Sequence, residues 1–250
     1  TGLKDQKVTI KKVKGMSESS IRGMDISSYI ALKKAGVKYY DYEGNETPLL
    51  KVLHDNGINY IRIRIWNDPF NADGETYGGG GNDVSTGVEI AKEAAQYDMK
   101  VLLDFHYSDF WAEPAVQLVP KAWKKDVNNT EKMCSDVYDF TKESIQKFKD
   151  AGANIGMVQV GNEITNGLLG IYSNRDKGES FNVIWGDKKK STEVNKYLKA
   201  GIKAVREYTP QALVALHLET PNVWKYKTIM NTWKRDNVDY DVLGLSLIHI

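Results

Sequence analysis

A single cysteine, Cys134, stands among 250 residues, so an intramolecular disulfide is impossible and a metal site built from several cysteines is excluded. An excess of charge of either sign is also missing. The 34 basic and 33 acidic residues leave a formal net charge of +1, which offers no electrostatic footprint for nucleic acid or an anionic membrane and favours a neutral partner. No run approaches the ~20 apolar residues that a membrane span needs. Thr1 to Lys14 lacks the apolar stretch of a signal peptide, so the start reads as a cut inside a longer precursor. No serine sits in a Gly-x-Ser-x-Gly turn, which removes support for a Ser-His-Asp hydrolase. The one glycine-rich stretch, Gly78 to Gly81, neither follows a strand directly nor has Gly-x-Gly-x-x-Gly spacing; it reads as a flexible loop, with a phosphate cradle as the poorer alternative. What is present is ordinary globular material, 41% hydrophobic and 27% charged, with enough apolar content for one large core.

From Ile21 onward the chain follows a β-α-β rhythm. Short apolar runs predict strands at Gly23 to Ile26, Tyr60 to Trp66, Lys100 to His106, around Val158, Leu213 to Leu218 and Tyr240 to Ser246. Amphipathic stretches between them predict helices over Pro48 to Asn56, Val84 to Tyr97, Thr130 to Asp150 and Thr192 to Tyr208. In the second of these, Val88, Ile90, Ala91, Ala94 and Ala95 share one face, and Asp83 is placed to cap the start. Lys188-Lys189-Lys190 reads as a solvated loop before the last helix. Residues 1 to 20 alternate Val8, Ile10 and Val13 with lysines, so they read as a linker or the end of an upstream domain, and the globular unit is expected over 21 to 250. Alternating strands and helices demand a parallel sheet covered on both faces, because each crossover returns the chain across one face.

A closed barrel and an open doubly wound sheet both satisfy that demand, and the strand ends separate them. Asp25, Arg64 with Trp66, Asp104 with His106, Asn162 with Glu163, and His217 with Glu219 all fall at or just after strand ends. A barrel converges every strand end on one mouth, whereas an open sheet concentrates function at one or two switch points. The expected fold is therefore an α/β barrel of the (β/α)8 type. Within it, the run Met157 to Val160 stops abruptly at Gly161-Asn162-Glu163 and delivers a carboxylate to the mouth. A Glu held there by low-dielectric walls can stay protonated and give its proton to a leaving oxygen, with Asn162 bonding substrate beside it. The plainer alternative is that Glu163 caps the following helical segment.

Phe105 to Trp111 packs aromatic and hydrogen-bonding side chains into one strand end and loop. Sugars need that mixture, since their C–H faces stack on rings while fixed donors and acceptors meet the hydroxyls; Trp66, Tyr107 and Trp111 suit a neutral polysaccharide. Equally, such rings can wedge the helix layer against the barrel. Arg62 and Arg64 alternate with Ile61, Ile63 and Ile65, so the arginines face inward and the isoleucines face the helices. An inward Arg64 requires carboxylate partners, either a catalytic Glu or, in a structural ion pair, Asp25 or Asp104. His106 and His217 belong to no His-x-x-x-His helix pair, and a metal is not expected.

These stretches resemble the endo-β-1,4-galactanases of glycoside hydrolase family 53, a family of retaining (β/α)8-barrel glycosidases. The resemblance runs from Ile21 to Ser246 and lies in Arg22 to Ser28, Tyr60 to Trp66, Tyr77 to Gly80, Leu103 to Pro114, Val158 to Glu163 and Ala215 to His217. It implies hydrolysis of β-1,4-galactan or arabinogalactan of pectin, by an extracellular and monomeric enzyme. Glu163 is then the general acid/base, Asn162 orients a sugar hydroxyl, and Asp25, Arg64, Trp66, Asp104, His106, Trp111 and His217 bind substrate. A related hydrolase of mannan or cellulose is the alternative, because the Asn-Glu strand end is shared more widely. The family's nucleophilic Glu lies on a seventh strand, whereas six strands are counted here. The resemblance therefore implies an incomplete barrel of about six βα units. Taken alone, residues 1 to 250 are then expected to be poorly soluble and to bind carbohydrate without turnover. No cofactor is implied for the residues present; some members hold a calcium ion in a later loop. Leu247-Ile248-His249-Ile250 departs from the family's pattern and reads as a junction.

Overall fold

A computed structural model describes residues 13–247. Six parallel strands form one sheet: β1 (Gly23–Asp25), β2 (Tyr60–Ile65), β3 (Lys100–Phe105), β4 (Ile155–Val160), β7 (Leu213–Glu219) and β8 (Val242–Ser246), paired in that order. A two-stranded antiparallel hairpin, β5 (Gly167–Leu168) with β6 (Ile171–Tyr172), sits in the loop after β4. The sheet curls as a partial (β/α)8 barrel, the alternative that the residues at the strand ends favoured over an open sheet. Strands β1 and β8 are its two edges and do not pair with each other, and all three residues of β1 are exposed.

The helices are α1 (Tyr29–Lys34), α2 (Leu49–Asp55), α3 (Val84–Ala95), α4 (Thr130–Asp150), α5 (Asn182–Trp185), α6 (Lys188–Tyr208) and α7 (Val223–Arg235). Their starts follow the side-chain chemistry of their caps. Asp83 accepts from Thr86 N at the head of α3, Asn129 from Lys132 N at α4, and Asn222 from Lys225 N at α7. The triple lysine is a correction: Lys188–Lys190 form the first turn of α6, not a loop. Asp187 accepts from Lys189 N and Lys190 N and supplies the negative charge that a helix start favours. The alternation in the strands sorts the two faces of the sheet. Ile61, Ile63, Ile65, Val101, Leu103, Phe105, Val158, Val160, Val214, Leu216 and Leu218 are buried in the main core. Gly87 lets α3 approach closely, since a Cβ there would lie 2.9 Å from Phe148 and 3.2 Å from Ile63. On the inner side a small apolar cluster of Tyr60, Met157 and Ala215 fills the floor beneath the strand ends. The expected upstream segment lies partly outside the described residues: nothing structural is assigned to 1–12, and Val13 to Ser20 form no strand. Of the suspected junction, Leu247 is described and exposed, and 248–250 lie outside.

Candidate active site

The end of β4 is a sharp turn. Gly161 has φ +85° and a Cβ on it would meet Ile164 at 2.7 Å, so only glycine fits. Glu163 follows in the left-handed region, φ 46°, a conformation that costs a non-glycine residue and often accompanies function. It precedes a 3-10 turn, Ile164–Asn166, without capping it. Among the described residues no donor bonds the Glu163 carboxylate, while its backbone N–H lies 3.2 Å from His217 Nδ1 and its carbonyl accepts from Gln117. The half-buried Glu163 side chain is thus positioned through its main chain alone.

Below it lies a polar layer organised by Arg62. The guanidinium reaches Asp25 Oδ2 and Asp104 Oδ2, each at 2.7 Å, and donates to Asn162 Oδ1 at 3.0 Å and Gln159 Oε1 at 3.3 Å. Burial opposes the Arg62 charge, but Asp104 and Asp25 outweigh it and hold its pKa above the ordinary arginine value. Asp104 is fully buried. Burial alone raises its carboxyl, yet Arg62 and then His106 pull it below the usual range. His106 Nε2 donates to Asp104 Oδ2 at 3.0 Å, while its Nδ1 accepts from Ala112 N at 3.0 Å and Trp66 Nε1 at 3.3 Å, which places the ring proton on Nε2. Asn162 donates to Ala112 O at 2.8 Å, and its oxygen accepts from Arg62 and Gln159. One amide N–H of Asn162 is left for a ligand.

These contacts correct several expectations. Among the described residues Arg64 pairs with no carboxylate; it donates to Gly79 O and Asn82 Oδ1, with its guanidinium 4.5 Å from the Trp66 ring centroid and 4.0 Å from that of Trp111. The ion pairs expected of Arg64 belong to Arg62. Trp66, Asp104 and His106, expected to bind substrate, are buried to 1% exposure or less and shape the mouth from beneath. Asp25 spends its oxygens on Ser27 and Arg62. Tyr107 is turned toward the helices, bonded to Thr141 on α4 at 2.8 Å and stacked on Phe105. Of Trp66, Tyr107 and Trp111, it is Trp111 that is exposed, at 44%. A cavity of about 730 Å³ joins Arg62, Trp111, Glu113, Asn162, Glu163 and His217. Arg62, Glu113 and the supporting Gln159 were not singled out from the sequence as site residues, although Arg62 and Gln159 lie on the inward parity of their strands. Among the described residues no group of three or more His, Cys, Asp or Glu side chains is arranged as a metal site, and none of their helices is long and apolar enough to cross a membrane.

His217 Nδ1 lies 2.9 Å from Asn162 Oδ1, and burial pushes its pKa from 6.5 down to about 4, Asp104 opposing only in part. Between these two values the unfolded chain binds a proton that the folded chain rejects. Its contribution is therefore complete above about pH 6.5 and is lost as pH falls toward 4. Melting temperature should drop across that window, and His217→Asn should flatten the drop. An NMR titration midpoint for His217 at or above about 6 would contradict this.

A curled parallel sheet with strand-end carboxylates at its mouth, those of Glu163 and Glu219 being unbonded among the described residues, defines a barrel of the glycosidase type. The chain belongs to glycosyl hydrolase family 53, whose model matches residues 21–249. It is 42% identical over 245 residues to Endo-beta-1,4-galactanase from Bacillus subtilis (strain 168), a match covering 98% of this chain and 53% of that protein. To the Arabinogalactan endo-beta-1,4-galactanase of Humicola insolens it is 30% identical, over 90% of this chain and 63% of the other. The solved Ignisphaera aggregans GH53 catalytic domain superposes with a TM-score of 0.85 at 34% identity, covering 96% of this chain and 62% of that one. The chain thus spans between 53% and 63% of the length of these relatives.

Proposed function

We propose that the full-length protein is a retaining endo-β-1,4-galactanase acting outside the cell on the galactan of pectin, as a monomer, with Glu163 as its general acid/base. The observation that carries this reading is the unbonded Glu163 carboxylate at the end of β4, in a cavity that Asn162 and the exposed Trp111 also line, in a chain of this family. Retention requires a second carboxylate ~5–5.5 Å away on the other side of the bond. On this reading it comes from the strand following β8, where the family's motif places it. Glu163 gives its proton to the glycosidic oxygen as that carboxylate attacks C1, then takes a proton from water as the glycosyl ester is hydrolysed. Asn162 offers its remaining N–H to a hydroxyl of the reacting sugar, Arg62 and Gln159 keep that amide from turning, and Trp111 gives a face for the C–H side of a galactose ring.

Digestion of β-1,4-galactan followed by NMR should show galacto-oligosaccharides released first as the β-anomer. Release of the α-anomer, or activity confined to mannan or cellulose, would contradict the proposal. Trp111→Ala is expected to weaken galacto-oligosaccharide binding about tenfold with little change in melting temperature. Unchanged affinity by calorimetry would remove Trp111 from the sugar platform.

A further inference from the structure

Glu163 stands between two cavities. The first, described above, lies over the barrel interior, walled by the inward side chains of Arg62, Asn162 and His217. The second, about 380 Å³, lies on the loop side and is lined by Glu113, Glu163, Arg175, Glu219, Thr220 and Pro221. An acid that protonates a glycosidic oxygen sits beside that oxygen, so the two sugars flanking the bond fall on its two sides. The ring that is attacked at C1 belongs over the interior, where the strand ends converge. The departing ring then falls in the second cavity.

The walls of that cavity are built for hydroxyls. Glu219 ends β7, and its main chain is clasped to the turn after Glu163: its N–H donates to Thr165 Oγ1 at 2.9 Å, and its carbonyl accepts from the same hydroxyl at 3.4 Å. This fixes Glu219 relative to Glu163 without engaging its side chain. Among the described residues nothing bonds the Glu219 carboxylate. Burial raises its pKa, Lys225 and Arg175 work against the rise, and Glu163 adds to it, in keeping with a carboxyl that shares the catalytic Glu's surroundings. Arg175, in the 3-10 turn Arg175–Lys177 that follows the β5–β6 hairpin, also lines the cavity.

We propose that this second cavity seats the leaving-group sugar and that Glu219 and Arg175 bind its hydroxyls, a role resting on the galactanase reading of Glu163. The test uses the full-length protein with two substrates. Galactotetraose carries a sugar into the second cavity; a 4-nitrophenyl β-galactobioside presents a flat ring without hydroxyls and departs with little need of a proton. Glu219→Ala and Arg175→Ala should each lower kcat/KM on galactotetraose about tenfold or more, the scale of a lost charged hydrogen bond, and change it less than about threefold on the aryl substrate. The aryl activity also reports that each variant is folded, and the Thr165 clasp, being made to the main chain, survives the alanine at 219. Equal losses on both substrates, or no loss on either, would overturn the assignment. If the parent protein itself leaves galactotetraose intact, both this proposal and the galactanase reading fall; equal losses on the two substrates, or none, in the variants of an active parent sink this proposal alone.

Discussion

Replacing Glu163 by glutamine in the full-length protein is expected to lower galactan turnover by about 10²–10⁴-fold, the usual contribution of a positioned acid or base. Binding of galacto-oligosaccharides and thermal stability should stay close to the parent's. The second half of this expectation comes from the geometry. The carboxylate has no protein partner among the described residues, so glutamine leaves no buried group unsatisfied and keeps the left-handed backbone at 163 no more strained than before. Calorimetry with galactotetraose and steady-state rates on galactan separate the two effects. A rate loss under about tenfold would mean that the proton comes from elsewhere.

The largest effect on stability is expected at Arg62. Arg62→Met removes the cation from between Asp25 and Asp104 and two donors from Gln159 and Asn162. Asp104 has no access to water, so its charge is left with His106 and Gln159 alone. Breaking a buried pair on one side costs about 3–5 kcal/mol, a large share of the stability of an ordinary domain. Arg62→Lys should recover only part, because one ammonium cannot span both carboxylates and the Asn162 oxygen as the guanidinium fork does. The pH dependence has a definite sign. Arg62 and His106 leave the Asp104 carboxyl below its ordinary value, so its contribution is present above about pH 3.9 and is lost as pH falls through the folded value. Urea unfolding near neutral pH measures the cost; a difference below about 1 kcal/mol would show that Arg62 is not the organiser of this layer.

Strand and helix order was legible because burial imposes two different periods. Helix α4 spans Thr130–Asp150, as the amphipathic pattern predicts, and β2 and β3 each end one residue short of their predicted limits. The hairpin β5–β6 and helix α1 are not predicted because two-residue strands and a six-residue helix carry too few positions to show a period. Helix α7 is not predicted either, although it has 13 residues; its exposed Val223 and Trp224 blur the apolar face. Tyr107 shares the outward parity of Leu103 and Phe105, and this is why it packs on α4 and not at the mouth. Lys188–Lys190 misled through composition, though Asp187 stood in the capping position just ahead. Choosing between Arg62 and Arg64 lay beyond the sequence, since both point inward and only the curl of the sheet decides which one meets Asp25 and Asp104. Depth is a similar case. Asp104 and His106 follow the strand pattern as substrate ligands do, and their burial arises from Trp66, Ala112 and Gln159, which reach them from just after β2, from the loop after β3 and from β4.

Azide rescue tests the role of Glu163 most directly. Glu163→Ala, given an aryl β-galactobioside whose leaving group departs without help, still forms the glycosyl ester on the nucleophile, and azide then enters the space the carboxylate occupied. Two inversions at C1 give a β-galactosyl azide, the configuration expected when the missing group is the acid/base. An α-galactosyl azide would show that azide had attacked the substrate in place of the nucleophile, and would contradict the role given to Glu163.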